Sequence, residues 1–413
     1  MFKHGSSGVV VLLLIGLMSA LQGTAAPRKA AGSPDPLGKS GEQGQEQATS
    51  GAQLYPGATI GFPDLSFGAV AASVQCDVEG NVYLERADSL AVITALAHSG
   101  ASLPITKLTL GSRSHTEFAA ASPPDYGRLL RTAFYVTPRG RVYALVLAYH
   151  RPADAGTNDW PDSVIVAYKD DGSIDSVIKL RAPQAARTRA FRMAAFGDGR
   201  FLVSGILYSD DPRPKQTGPF TWVFDRGGGY VASLELPHDE SAALTEPSGP
   251  GKALEPSPFE GSGPPVGDKA EKPSKPAWPL VQQIVQGPIV GALDGTIYIL
   301  RASDPARLYV IDSGGRVLRS FDVRPPRSGL MPSQASLAGQ SSLLVEFSHP
   351  PDRGDPHSRV VLAVVDPNTG AVGEVYGVPS SSGVPACAKS ENEFLFLDEN
   401  EKGQLEVRAF TPR

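Results

Sequence analysis

The sequence predicts an all-β fold built from a four-stranded antiparallel unit that recurs along the chain. Three observations carry this. The hydrophobic residues, 41% of the chain, come in short alternating runs and not at helical spacing. Gly (44) and Pro (37) break those runs where tight turns need them. One pattern, two hairpins each turned at an Asp/Gly or similar polar tetrapeptide, returns six times in whole or in part.

The chain begins with a weakly basic Lys3 and His4, then an apolar run over residues 9 to 21 that is short for a bilayer span. Small residues follow at Gly23, Thr24, Ala25 and Ala26. This pattern predicts a signal peptide over 1–25, cut after Ala25 because a cut after Ala26 would leave Pro27 next; an uncleaved anchor is the alternative. The expected location is periplasmic or secreted, with no membrane insertion once the leader is removed. Residues 26–54, rich in Gly, Ser, Gln, Pro and Ala without apolar periodicity, predict a disordered linker.

From residue 55 the repeats begin. The clearest unit, residues 289 to 323, reads IVGALDGTIYILRA and then ARLYVIDSGGRVLRSFDV, which is four strands with turns at Asp294-Gly295 and Asp312-Ser313-Gly314-Gly315. Glycine supplies the positive φ that such turns demand. Its first hairpin returns as VQCDVEGNVYLE, FYVTPRGRVYALVL, MAAFGDGRFLVSGIL, SLAGQSSLLVEF and ACAKSENEFLFLD. Its second returns as AVITALAHSGASLPITKLTL, VIVAYKDDGSIDSVIKL, TWVFDRGGGYVASLEL and VVLAVVDPNTGAVGEVYGV. The sixth unit runs out of chain after its third strand. The segment from Ala58 to Phe62 can supply the missing strand and cover an edge that would otherwise invite aggregation.

These units resemble the β-propeller superfamily, nearest to NHL-type and related six-bladed repeats, across residues 55–413. The resemblance implies a six-bladed propeller of four-stranded antiparallel blades, its last blade closed by an N-terminal strand. A Pro-, Gly- and acid-rich stretch over 238–277, with Phe259 its single aromatic, predicts a disordered insertion between the third and fourth units. Lengthening that connection costs only about 2 kcal/mol of closure entropy. It is either a partner-binding tail or a neutral insertion.

In a propeller the second-to-third and blade-to-blade connections share one face, and here they are the long ones. His115, His150, His238, His349, His357 and Trp160 fall in them, at spacings that match no zinc motif. On the inner strands, the positions near the first turn are small in every unit: Cys76, Val136, Ala195, Gly291, Ala335 and Cys387. Farther toward the long loops come Arg131, Arg189, Arg192, Gln286 and Gln334, the candidate ligand-binding set. A cationic funnel there would take a small anion, since the planar guanidinium donates two parallel hydrogen bonds. Alternatively, the arginines are salt-bridged to loop carboxylates such as Asp125.

Lactonases of the gluconolactonase and regucalcin type resemble this architecture but hold a divalent cation at the channel. No Asp or Glu lies at the equivalent inner-strand positions, and a hard cation wants several charged oxygens. Asp64 and Asp125 are the nearest replacements. Neither a nucleophile elbow nor a Ser/His/Asp set can be assembled from spacing. The function expected is therefore an exported ligand- or protein-binding scaffold with no cofactor, no metal and no assigned catalytic residue; a lyase or lactonase-like hydrolase on the long-loop face is the alternative. The expected partner is an unknown protein or a small anionic ligand, and the chain a monomer. The net charge of −5 gives no reason to expect nucleic acid. The two cysteines, Cys76 and Cys387, share a register in the first and last units. Ring closure would let them form a disulfide across some three hundred residues, whereas the ordinary spacing of packed sheets would leave two small buried thiols.

Overall fold

The computed structural model describes residues 52–67, 70–86, 104–118, 126–150, 160–183, 186–211, 215–234, 287–302, 305–349, 360–378 and 383–413. The predicted leader, nearly all of the predicted linker, the insertion, Asp125, His238, Gln286 and His357 lie outside them. Every regular element named among the described residues is a strand.

β1 (Ala52–Ser66) leads the chain. Four antiparallel meanders follow, each a separate four-stranded sheet. The first holds β2 (Val70–Cys76), β3 (Val82–Arg86), β4 (Ile105–Thr109) and β5 (Ser114–Phe118). The second holds β6 (Tyr126–Val136), β7 (Val142–His150), β8 (Asp162–Tyr168) and β9 (Ile174–Lys179). The third holds β10 (Arg187–Ala195), β11 (Phe201–Tyr208), β12 (Gln216–Phe224) and β13 (Tyr230–Ser233). The fourth holds β14 (Ile289–Gly291), β15 (Ile297–Arg301), β16 (Ala306–Ile311) and β17 (Val317–Val323). The remaining strands are β18 (Met331–Ala338), β19 (Ser342–Ser348), β20 (Val361–Val365), β21 (Val372–Gly377), β22 (Val384–Ser390), β23 (Glu393–Glu399) and β24 (Gln404–Pro412).

These last seven do not form two separate sheets, as six independent blades would require. They and β1 make one eight-stranded sheet in the order β18-β19-β20-β21-β1-β24-β23-β22. The cause is the length of β1. Leu54 to Ser66 runs antiparallel to β24, with Thr59 opposite Arg408 and Phe62 opposite Leu405, so the Ala58–Phe62 segment does cover that edge. The two residues before it, Ala52 and Gln53, pair in parallel with Tyr376 and Gly377 of β21 and fuse the neighbouring sheet to it.

The turns are built as the Asp/Gly pattern predicts. Asp294 Oδ1 accepts from the backbone N–H (2.9 Å) and hydroxyl (2.7 Å) of Thr296, and Gly295 sits at φ 88°. In the first sheet the second hairpin differs from expectation. The third and fourth strands are β4 and β5, turning through residues 110–113 with Arg113 at φ 51°; the first part of the predicted AVITALAHSGASLPITKLTL hairpin lies outside the described residues. His115 is consequently in β5, opposite Leu108, and not in a loop. The segment SHTEF has too little apolar alternation to announce itself as a strand; its pairing with β4 makes it one.

Apolar side chains fill the space between successive sheets. Tyr83 packs with Phe134, Val164 and Val166 between the first and second. Leu145, Phe201, Leu202, Ile297 and Tyr309 span the second, third and fourth. Leu308, Val310, Val345 and Phe347 join the fourth to β18–β21. Leu344, Leu362, Phe394 and Phe396 join β18–β21 to β22–β24. Val82, Leu84 and Leu108 meet Leu395, Leu397 and Phe62 and return to the first sheet. The first strands β2, β6, β10, β14, β18 and β22 each touch the next, and β22 touches β2. The described residues thus form a propeller-like arrangement of antiparallel four-stranded sheets about an axis.

Candidate functional site

The first strands enclose a cavity of about 470 Å³ along that axis. Small residues make it possible: Cys76, Gly291, Ala335 and Cys387 all line its wall. Gly291 is required by its neighbour, because a Cβ there would overlap the Tyr135 hydroxyl reaching over from β6. That hydroxyl lies against the backbone of Gly291 and Ala195, and burial pushes the phenol well above its ordinary range.

Two contacts stitch the wall between first strands. Gln75 of β2 donates from Nε2 to the Phe134 carbonyl (2.6 Å) and accepts at Oε1 from the Val136 N–H (2.8 Å), serving as an extra peptide group between β2 and β6. On the other side of β2, Cys76 is disulfide-bonded to Cys387 of β22 across a sequence separation of 311. Their Cα atoms are 6.2 Å apart, within the range a disulfide spans. The spacing between sheet faces does not apply here, since the strands nearest the axis approach more closely than the sheets behind them.

The charged groups of the cavity differ in how they are satisfied. Arg131 is ion-paired with Glu85 of β3, Nη2 to Oε1 2.6 Å, with only 4% of its side chain exposed. Arg192 of β10 donates from Nη1 to the Gly287 carbonyl; burial pushes its guanidinium down to about 10, and no carboxylate pairs with it among the described residues. Glu346 of β19 accepts from the Ser333 hydroxyl at 2.7 Å. Burial holds its carboxyl above the usual carboxylate range, the Ser333 bond offsets that in part, and no cation pairs with it among the described residues.

Of the five residues singled out from sequence, Arg131, Arg192 and Gln334 line the cavity together. Arg189 does not. Its guanidinium stacks on Trp160 (4.8 Å to the centroid) and Tyr208 (5.4 Å), because a register shift in β10 between Ala190 and Arg192 separates the two arginines. Gln286 lies outside the described residues. The predicted three-arginine funnel is therefore not assembled among them, and Arg131 has a carboxylate of its own. That carboxylate is Glu85, and Asp125 lies outside the described residues. Asp64 belongs to β1, is exposed, and does not line the cavity.

Sequence reasoning missed Glu85 and Glu346 because they stand on second strands, not on the inner ones. Each is a lone carboxylate ending an apolar run, VYLE and SLLVE, and a charge in a strand buried on both faces is the signal that could have found them. Elsewhere among the described residues, other polar groups pair with one another. Asp162 accepts from Tyr126 (3.0 Å), His150 (3.2 Å) and Lys179 (2.6 Å). A second hollow on the tight-turn side has its own pairings, including Arg226 with the Asp198 carbonyl. No group of three or more His, Cys, Asp or Glu placed to hold a metal ion occurs among the described residues.

No family model matches the chain, and no curated protein matches it. Solved structures do. A protein of unknown function from Dyadobacter fermentans is 12% identical over 87% of this chain and 99% of its own, with a TM-score of 0.48. The PQQ-bound aldose sugar dehydrogenase from Streptomyces coelicolor is 11% identical over 88% and 98%, with a TM-score of 0.39. The Dos1 propeller is 8% identical over 87% and 95%, with a TM-score of 0.35. The neighbours include propellers, and at this level of likeness nothing about function follows from them.

Proposed function

We propose that this chain is an exported six-bladed propeller that binds a small ligand carrying an anionic group in its central channel. Strands β18–β21 count as one blade and β22–β24 with β1 as the next, which makes the eight-stranded sheet two blades of the ring. The leader-like N-terminus and the disulfide, a bond that persists in oxidising compartments, support a periplasmic or secreted location.

One observation carries the binding reading. Arg192 lines the cavity with a half-buried guanidinium that is bonded to a backbone carbonyl and to no carboxylate among the described residues. A half-buried charge without a counter-charge is incompletely hydrated, and a bound carboxylate or phosphate compensates it with two parallel hydrogen bonds. A thermal-shift screen of small carboxylates and phosphates at low ionic strength tests it. At least one anion should raise the melting temperature in a saturable way, and Arg192→Gln should abolish that shift. No stabilisation by any anion, or equal stabilisation of the variant, overturns the reading.

A further inference from the structure

We infer that the channel ligand is a small zwitterion of the α-amino-acid class, its carboxylate held by Arg192 and its ammonium by Glu346. The inference rests on the cavity being an anion site and specifies what else the ligand must carry.

Among the described residues the cavity wall holds four charged side chains, and they fall into two kinds. Glu85 and Arg131 satisfy each other at 2.6 Å. Arg192 and Glu346 line the same space without doing so, although pairing would relieve both. They come from different sheets, Arg192 from the third and Glu346 from β18–β21, with the fourth sheet between them. Burial acts on each alone. It lowers the guanidinium and raises the carboxyl, and no neighbouring charge contributes in either case. The two groups thus face one cavity half-buried, one a base and one an acid, on different sheets.

That combination discriminates between ligands by charge. A simple anion compensates Arg192 and leaves Glu346 without a counter-charge. A simple amine does the reverse. Only a molecule carrying both charges satisfies both, while the cavity gains no net charge. The fittings agree. Ser333 holds the Glu346 carboxyl from one side, so the group is oriented before a ligand arrives. Phe191, Ile289 and Ala386 add an apolar wall for a ligand side chain. A volume of about 470 Å³ is within the range of small-molecule sites.

The experiment is calorimetric titration of the full chain at neutral pH with three series of compounds: free α-amino acids, their N-acetyl derivatives and their amides. N-acetylation removes the ammonium, and amidation removes the carboxylate. At least one free amino acid should bind tenfold or more tightly than both of its blocked forms. Glu346→Gln should weaken the free amino acid about tenfold and leave the N-acetyl form within twofold, whereas Arg192→Gln should weaken both. If the N-acetyl form binds as tightly as the free amino acid, the zwitterion is wrong and the anion site stands. If neither the amino acids nor any simple anion binds, both readings fail. Should the Glu346 variant not fold, the comparison of compounds on the unaltered protein decides alone.

Discussion

Arg131 of β6 and Glu85 of β3 form an ion pair across the boundary between the first and second sheets, Nη2 to Oε1 2.6 Å, with 4% and 22% of the side chains exposed. Breaking such a pair on one side is expensive, because the guanidinium stays out of water and loses the carboxylate that compensates it here. Glu85→Gln should cost about 3 kcal/mol. Replacing both residues with apolar ones, Glu85→Leu with Arg131→Met, should cost much less than the single change. Urea midpoints of the two variants check this. Equal losses would mean that the pair matters through packing and not through charge.

The fold was legible where chemistry is local. Asp294, Gly295 and Thr296 announce their turn in three letters, and the same spelling recurs through the chain. The contribution of Ala58–Phe62 was legible for another reason: the last unit ends one strand short, and an uncovered β24 edge has to be answered from somewhere. What stayed hidden depends on pairing between distant residues. Nothing in Ala52 and Gln53 shows that they lie parallel to Tyr376 and Gly377 and merge two sheets into one. Nothing in SHTEF marks β5 as a strand until Leu108 stands opposite His115. The site was half legible. Inner-strand position picks out Arg131, Arg192 and Gln334, but the partners that decide which arginine is available come from second strands. Arg189 leaves the channel through a register shift that no spacing rule reports.

The Cys76–Cys387 bond closes a loop with a sequence separation of 311. In the chain-entropy model a loop of that length is worth about 6 kcal/mol, through the freedom denied to the unfolded chain. Changing both cysteines to alanine keeps small residues on a wall that has room for little else. The double variant should fold, because β1 on β24 and the apolar contacts between sheets still close the ring. Its urea midpoint should fall well below that of the oxidised protein and match that of the reduced protein. A midpoint unchanged by reduction would show that the unfolded chain gains no freedom when the bond is cut.

Gly291 and Tyr135 share one volume at the cavity wall. A methyl group at 291 would overlap the Tyr135 hydroxyl, which is buried against β10 and β14 and cannot swing into water. Gly291→Ala should therefore destabilise by about 1–3 kcal/mol, the usual cost of overpacking. Tyr135→Phe removes the atom that the methyl strikes. Added to Gly291→Ala it should restore part of the loss, so the two changes should be non-additive in a double-mutant cycle. Additive losses would place the cost of Gly291→Ala in the backbone and not in the contact with Tyr135.

Glu346 makes the stability of the unliganded protein depend on pH, and the sign follows from its burial. The folded carboxyl binds its proton more tightly than the unfolded one, because the cavity disfavours the charge. Its contribution is fully present below the ordinary carboxylate range. It is lost as pH rises through that range and up to the raised value of the folded state. Glu346→Gln removes this slope while leaving an oxygen to accept from Ser333. The variant should match the unaltered protein near the acid end of the folded range and exceed it at pH 8, by about 1.4 kcal/mol for each unit of upward displacement. Urea midpoints of the two proteins, compared at each pH so that all other carboxylates cancel, give the difference directly. A saturating free amino acid should reverse the order at pH 8, since its ammonium compensates the ionised carboxylate and has nothing to compensate in the glutamine. A difference that is flat with pH would mean that Glu346 ionises as readily in the folded protein as in the unfolded chain, and that the cavity does not disfavour its charge.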